Sequence, residues 1–231
     1  MAVRPVRRRT VGRLRTAIGA LVVALAAGTA VALPAAEAEA AGAKGGKVVY
    51  LTFDDGPSPA YTPKVLATLS QYGVRATFFE IGQNVAAHPS VTAQVAKQGH
   101  SVQNHSWSHA DLRRLSAAAL NAQLADTDKA IRAQTGRTPS CLRPPYGAVN
   151  STVRSKAATL GKQVVLWSVD PADWSRPGTA AIRSRVLNNV RPGSVILLHD
   201  GGGDRSQTVA ALPTIISTLK ARGYGFATLC G

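Results

Sequence analysis

The chain has 231 residues, with 27 basic and 12 acidic side chains and a formal net charge of +15 at pH 7. The basic residues are scattered, no basic cluster is interleaved with aromatic residues, and no nucleic-acid-binding motif is found, so nucleic acid is excluded as the expected partner. The chain has two cysteines, and these lack the spacing of a zinc site.

The N-terminus has the layout of a secretory signal. Six arginines within residues 4–15 precede an apolar run over residues 17–33, and the alanine-rich residues 36–40 offer cleavage sites between small side chains. We therefore expect residues 1–40 to be a signal peptide that is removed, residues 41–46 to be a short linker, and residues 47–231 to be the functional domain. The alternative is a retained anchor helix, since the run is barely long enough to cross a membrane. No basic cluster follows it to stop transfer.

Removal of residues 1–40 takes away six Arg and two Glu and leaves a net charge of +11. A basic surface attracts polyanions, and anionic cell-wall polymers suit an exported protein better than nucleic acid does. An ordinary solvated surface is the other explanation of the charge. We expect a monomer that is secreted or associated with the cell wall, without stable membrane association after cleavage. In an oxidising compartment, Cys141 and Cys230 can form a single disulfide.

From Lys47 onward, short β-rich apolar segments alternate with longer helical patterns. Strands are predicted over residues 48–53, 76–81, 101–104, 141–143, 164–169, 194–198 and 225–229. Helices are predicted over residues 63–71, 90–98, 116–134, 151–160, 179–188 and 208–221. This alternation predicts a single α/β domain with about seven parallel strands. Because no dinucleotide-binding or P-loop glycine pattern is present, a closed or nearly closed (β/α) barrel is favoured over an open doubly wound sheet.

Polar side chains follow five of the predicted strands at the point where each strand ends. They are Asp54 and Asp55, His105 and His109, residues 143–146, Asp170 and Asp173, and His199 and Asp200. The carboxyl ends of the strands in a parallel barrel share one rim, where active sites are built. The sequence therefore predicts that five loops contribute to one site.

A metal site is predicted at this rim. A carboxylate with two imidazoles is a common ligand set for a zinc ion that keeps a position open for water and substrate. An Asp-Asp-Gly turn or a His-x-x-x-His spacing is weak when taken alone, but here the two occur together, after the first and the third predicted strands. We expect Asp55, His105 and His109 to bind one divalent metal ion, with zinc as the expected metal.

The remaining charged residues at the rim suggest an acid and a base. Asp54 can take the proton of a water that attacks a carbonyl, and His199 can titrate near neutrality and donate a proton to the leaving group. Arg143 would orient Asp54 and keep it ionised, and Asp173 would raise the pKa of His199 by its charge. The alternative for Arg143 and Asp173 is a purely structural ion pair.

Three apolar residues near the rim have two interpretations each. Trp174 and Leu197 can form the wall of an apolar pocket, or they can belong to the core, which for leucine is the commoner case. Trp107, between the two predicted histidine ligands, can stack on a sugar ring or serve only in packing.

These residues form five motifs in a characteristic order. The motifs are residues 52–56 (TFDDG), 105–109 (HSWSH), 143–147 (RPPYG), 170–174 (DPADW) and 197–200 (LLHD). In this order they resemble the motifs of the polysaccharide deacetylases, and residues 47–229 are similar to the NodB-homology domain of carbohydrate esterase family 4. Five ordered motifs are far more specific than any one of them.

The resemblance implies a distorted (β/α) barrel and a divalent metal, usually zinc, at Asp55, His105 and His109. It implies Asp54 as base, His199 as acid, and Arg143 and Asp173 as the residues that tune them. By the same resemblance, the backbone N–H of Tyr146 stabilises an oxyanion, and Trp174 and Leu197 form an acetyl pocket.

The function implied by the resemblance is the removal of N-acetyl groups from a polysaccharide that contains N-acetylglucosamine, either peptidoglycan or a chitin-like polymer. One alternative is an acetylxylan esterase that removes O-acetyl groups through a similar tetrahedral intermediate. Another is a cell-wall glycan-binding module without catalysis. Intact Asp54 and His199 argue against the binding module.

Overall fold

A computed structural model describes residues 46–231. The predicted signal peptide at residues 1–40 and residues 41–45 of the linker lie outside the described residues. Among the helices within residues 46–231, none is both long and apolar enough to span a membrane.

Seven strands form one sheet, and all of their pairings are parallel. They are β1 (Lys47–Asp54), β2 (Thr77–Glu80), β3 (Ser101–Asn104), β4 (Cys141–Leu142), β5 (Gln163–Val164), β6 (Val195–His199) and β7 (Tyr224–Phe226). The order across the sheet is β5-β4-β3-β2-β1-β6, and β7 pairs with the first half of β1. The predicted α/β class and the number of parallel strands are confirmed.

The sheet curls into an incomplete barrel. Strands β5 and β6 are at its two edges, and the chain that follows β5 closes part of the gap between them. Val169 forms a parallel bridge with Ile196, and the Leu197 N–H donates to the Val169 carbonyl at 2.9 Å. A distorted barrel, rather than an open doubly wound sheet, is therefore confirmed.

A strand was predicted over residues 164–169, but regular strand pairing ends at Val164. The prediction is therefore wrong for the residues between Val164 and the bridge at Val169. The carbonyls of Val165 and Leu166 instead accept hydrogen bonds from the Arg143 guanidinium. A buried arginine thus takes up backbone groups that a continuous strand would pair with a neighbouring strand.

Seven α-helices cover the sheet. They are α1 (Thr62–Gln71), α2 (Gly82–Ala87), α3 (Pro89–Lys97), α4 (Ala117–Thr135), α5 (Ser151–Thr159), α6 (Thr179–Asn189) and α7 (Ser206–Ala221). Local chemistry sets several of their ends: the Ser116 hydroxyl accepts from the Ala119 N–H to start α4, and Gly136 in the left-handed region ends it. Six of the helices were predicted within two residues at each end, and α2 was not predicted.

The alternation of side chains along the strands separates the core from the barrel interior. Val49, Leu51 and Phe53 of β1 are fully buried in a cluster with apolar residues of the surrounding helices. Each such side chain stabilises the fold by about 1.5–3 kcal/mol. The intervening Thr52 and Asp54 are also buried but contact Arg143 inside the barrel. The core therefore holds the polar residues of β1 directly below the rim.

The C-terminal segment crosses the amino ends of β2, β3 and β4. Cys230 forms a disulfide with Cys141 at the start of β4, and its carbonyl accepts a hydrogen bond from Gln103 Nε2 at 2.7 Å. The disulfide thus joins the chain terminus to the strand that leads into Arg143.

Candidate active site

The carboxyl ends of the strands surround a pocket of about 450 Å³. Its lining consists of Trp167 and nine residues that were predicted at or near the rim: Asp54, Asp55, His105, His109, Tyr146, Asp170, Trp174, Leu197 and His199. Arg143 and Asp173 lie behind this lining, in contact with Asp54 and His199 respectively. The structure thus brings together the residues to which a chemical role was assigned, while Asp200, also predicted at the rim, lies outside the pocket lining.

Asp55, His105 and His109 present three potential metal-ligand atoms within 4.8 Å of one another. Oδ1 of Asp55 lies 3.4 Å from Nε2 of His105 and 3.2 Å from Nε2 of His109. This oxygen is buried and has no hydrogen-bond partner among residues 46–231. One carboxylate oxygen and two imidazole nitrogens around an unsatisfied buried atom fit a divalent metal ion such as zinc.

The backbone and nearby side chains orient these three residues. Asp55 and His109 both have positive φ, at 71° and 56°, which turns their side chains toward each other at the ends of β1 and of the loop after β3. Nδ1 of His105 is 2.6 Å from the Arg143 carbonyl, so Nε2 faces the pocket. Asn84 donates to the Asp55 carbonyl at 2.9 Å. Burial opposes ionisation of Asp55, but the proximity and charge of His105, together with the charges of His199 and His109, outweigh burial and hold the pKa of Asp55 well below its usual range.

Asp54 and Arg143 form a buried ion pair inside the barrel. Nη1 of Arg143 donates to Oδ1 of Asp54 at 2.7 Å and to Oγ1 of Thr52 at 2.8 Å. The guanidinium also stacks on the Phe79 ring, with its carbon 4.1 Å from the ring centroid. Oδ2 of Asp54 points toward the cluster of potential metal ligands and lies 3.8 Å from Nε2 of His105. One oxygen of Asp54 is therefore held by Arg143 while the other remains available for proton transfer.

His199 ends β6, the strand that pairs with β1, and Asp173 holds its side chain. Nδ1 of His199 is 2.7 Å from Oδ1 of Asp173, and the His199 N–H donates to Oδ2 at 2.9 Å. Thr208 also donates to Oδ2, at 2.7 Å. Burial disfavours the imidazolium, but the hydrogen bond and charge of Asp173 outweigh burial and raise the pKa of His199. The Asp173 contact leaves Nε2 of His199 for the pocket.

Two exposed aromatic side chains stand at the mouth of the pocket. Tyr146 is 70% exposed and Trp174 is 56% exposed, and they are the exposed large hydrophobic residues of the described chain. The Tyr146 ring contacts His109 edge to face, with centroids 4.6 Å apart. Tyr146 has φ 61°, and its N–H has no acceptor among residues 46–231. Leu197 is buried and lines the pocket.

Three residues near the rim differ from the sequence-based expectations or were absent from them: Trp107, Trp167 and Arg205. Trp107, considered for sugar stacking, lies outside the pocket lining and packs against Gly82, where an added Cβ would be 2.4 Å from the indole. Trp167 at the pocket wall was not predicted, because an aromatic residue in an apolar segment gives no separate signal. Arg205, which is buried beside the pocket loops, was also missed.

Two buried carboxyl groups lie behind the rim: Glu80, which was not predicted, and Asp200, which was predicted at the rim without a chemical role. Burial raises the pKa of Glu80 to about 8 and that of Asp200 to about 7. Each accepts one hydrogen bond from a threonine, Thr92 for Glu80 and Thr62 for Asp200, both at 2.6 Å. They belong to the support of the rim loops rather than to the pocket lining.

Comparisons with known proteins agree with this geometry. The family model for polysaccharide deacetylase matches residues 41–165. A peptidoglycan-N-acetylglucosamine deacetylase of Bacillus cereus is 44% identical over 185 residues, which cover 79% of this chain and 86% of that protein. A chitooligosaccharide deacetylase of Sinorhizobium fredii is 44% identical over 191 residues, which cover 78% of this chain and 89% of that protein.

The fold comparison gives the same result. The crystal structure of the Bc1960 peptidoglycan N-acetylglucosamine deacetylase matches with a TM-score of 0.77 and 38% identity, over 79% of this chain and 86% of that one. Likeness in sequence and in fold thus extends over most of both chains, well beyond the five motifs. The chain belongs to the polysaccharide deacetylase family, carbohydrate esterase family 4.

Proposed function

We propose that this enzyme removes N-acetyl groups from N-acetylglucosamine units of peptidoglycan or of a chitin-like polysaccharide and releases acetate. The observation that carries the proposal is one pocket lined by Asp54, by His199 and by the Asp55, His105 and His109 cluster, in which Arg143 holds Asp54 and Asp173 holds His199. The names of the two similar relatives, one acting on peptidoglycan and one on chitooligosaccharide, support the substrate class.

Asp55, His105 and His109 would hold a divalent metal ion, with zinc favoured by one oxygen and two nitrogen donors. When bound there, the ion would supply Lewis acidity that polarises an acetamide carbonyl and acidifies a water molecule. Asp55 is suited to this role because its Oδ1 is buried without another partner in the described chain.

Asp54 is the proposed base. As water attacks the acetamide carbonyl, Oδ2 of Asp54 accepts its proton, while Oδ1 stays bonded to Arg143 at 2.7 Å. Fixing one carboxylate oxygen orients the other and removes the cost of reorienting it during the reaction. The N–H of Tyr146 has no internal acceptor in residues 46–231 and would donate to the developing oxyanion.

His199 is the proposed acid. Its Nδ1 is bonded to Asp173, so Nε2 would donate the proton to the sugar nitrogen as the C–N bond breaks. Acetate and a free amino sugar result. Trp174 and Leu197 line the pocket and would contact the acetyl methyl group, which is small and apolar.

The cellular setting is inferred from the sequence. We propose export through the signal peptide at residues 1–40, with the remaining chain secreted or associated with the cell wall as a monomer. The polysaccharide substrate is then the partner, without nucleic acid and without stable membrane association. The relative from Bacillus cereus is named for a cell-wall polymer, which agrees with this location.

Substitution of Asp54 tests the base directly. Asp54→Asn keeps the size of the side chain but removes the proton acceptor, so acetate release from N-acetylglucosamine oligomers should be abolished while the protein retains zinc. Asp126→Asn, on the exposed face of α4, is the matched control and should keep wild-type activity. An Asp54→Asn protein that still turns over oligomers at more than a few per cent of the wild-type rate would exclude Asp54 as the base.

A further inference from the structure

Arg205 is a buried arginine that the roles above do not use. It directly precedes α7, its relative exposure is 5%, and no carboxylate of residues 46–231 lies within ion-pair distance of it. A buried charge without a carboxylate partner is unfavourable unless polar groups surround it. The groups that surround Arg205 therefore indicate what it does.

The Arg205 guanidinium binds three backbone carbonyls. Nε donates to Gly201 at 2.6 Å, Nη2 donates to Gly202 at 2.9 Å, and Nη1 donates to Trp174 at 3.4 Å. One planar group thus joins the loop after β6 to the loop that carries Trp174. A lysine cannot reproduce this contact, because its ammonium is a single point of donation at the end of a flexible chain.

The two glycines that Arg205 holds lie against Asp55. A Cβ at Gly201 would be 2.1 Å from the Asp55 carbonyl oxygen, and a Cβ at Gly202 would be 2.4 Å from Asp55 Oδ2. The glycine backbone therefore touches both the main chain and the carboxylate of Asp55. Because Oδ2 of Asp55 lies against the backbone of Gly202, Oδ1 is the oxygen that faces His105 and His109.

We propose that Arg205 is a positioning residue for the metal site: it fixes Gly201 and Gly202, and these hold the Asp55 carboxylate in the orientation that binds the ion. The inference rests on the proposed function in that Asp55 is taken as a metal ligand. Residues that orient metal ligands without touching the metal typically change metal affinity or activity about 10- to 100-fold when replaced.

The test is the zinc dissociation constant of purified, chelator-stripped protein, measured by competition with a fluorescent zinc chelator. Arg205→Lys and Arg205→Met should raise this constant about 10- to 100-fold. Arg222→Met is the matched control, since Arg222 also donates to a backbone carbonyl, that of Leu187, but follows the far end of α7. It should bind zinc like the wild type.

Thermal unfolding of the metal-free proteins separates positioning from general stability. If both Arg205 variants melt earlier but the folded proteins bind zinc within twofold of wild type, Arg205 is only structural and the inference is overturned. Should Arg205→Met fail to fold, Arg205→Lys decides. Gly202→Ala provides a second measurement with Arg205 intact: its Cβ would press on Asp55 Oδ2, and a φ of 72° strains an alanine there, so the folded variant should also bind zinc more weakly.

Failure of the proposed function would look different from failure of this inference. A wild-type protein that does not bind zinc would contradict the assignment of Asp55, His105 and His109, and the inference with it. Tight zinc binding by the wild type and by all the variants would leave that assignment intact and overturn the role of Arg205 alone.

Discussion

Arg143 donates from Nη1 to Oδ1 of Asp54 at 2.7 Å, with the side chains 0% and 4% exposed. The remaining guanidinium N–H groups bind Thr52 and the carbonyls of Val165 and Leu166, so Arg143 is held from several sides. Because β4 ends at Leu142, the residue that orients the proposed base is placed directly by a strand of the barrel.

Arg143→Met should lower kcat for acetate release about 100-fold or more, because Asp54 loses the group that orients it. It should also lower the free energy of unfolding by about 3–5 kcal/mol, since a buried carboxylate is left unpaired. Zinc binding should survive, because His105 is held by the backbone carbonyl of residue 143 and not by its side chain. Steady-state kinetics, denaturant unfolding and zinc content check these points. Near-normal kcat would show that Arg143 is only a structural partner.

Asp173→Asn should shift the alkaline limb of the pH–rate profile toward lower pH. Burial lowers the pKa of His199, but the hydrogen bond and charge of Asp173 raise it overall, so the wild type keeps the protonated acid to higher pH. Without the Asp173 charge, His199 loses its proton earlier as the pH rises. The variant should therefore lose more activity at pH 8 than at pH 6, relative to wild type. An unchanged alkaline limb would argue against His199 as the acid.

Glu80→Gln should stabilise the protein relative to wild type at high pH. Burial raises the pKa of Glu80 to about 8 from an ordinary value of 4.5. Between these pH values the unfolded chain releases the proton and the folded chain retains it, so wild-type stability falls as the pH rises through this interval. Glutamine keeps the contact with Thr92 but does not ionise.

The measurement is the difference in melting temperature between Glu80→Gln and wild type at pH 5, 7 and 9. This difference should grow with pH, whereas Asp126→Asn, an exposed substitution on α4, should give a difference that stays flat. A Glu80→Gln difference that is constant or shrinks with pH would mean that Glu80 does not stay protonated in the folded protein.

The double substitution Cys141→Ala with Cys230→Ala should reduce the free energy of unfolding by about 2–4 kcal/mol. The disulfide joins residues 89 positions apart and restricts the unfolded chain. Thermal unfolding of the wild type with reductant should reproduce the effect, and the double variant should not respond to reductant. Equal stability of the oxidised, reduced and substituted proteins would show that the bond does not contribute to stability.

The site could be predicted because of where its residues stand in the chain. Asp54, His105, Arg143 and His199 each lie at or directly after a strand end, and parallel strands bring their carboxyl ends to one edge. The pairing of Arg143 with Asp54 and of Asp173 with His199 followed from opposite charge. These contacts depend on chain order and strand direction, both of which can be read from a sequence.

Other features depend on packing that sequence patterns do not encode. Helix α2 is only six residues long and begins with Gly82, a residue of low helix propensity; it forms because Gly82 and Gln83 donate to the carbonyls of Ser106 and Trp107. Arg205 stands in a polar, glycine-rich segment that reads as an exposed loop. Its burial arises only when that loop folds back against Asp55.

Acetate release by the purified protein is the most direct measurement of the central claim. The protein is stripped with chelator, resupplied with zinc, and assayed on N-acetylglucosamine oligomers, peptidoglycan and acetylxylan. We predict that zinc restores release from at least one N-acetylated substrate. Release from acetylxylan alone would identify an O-acetyl esterase, and polysaccharide binding without any release would identify a binding module; either result would contradict the proposed N-deacetylation.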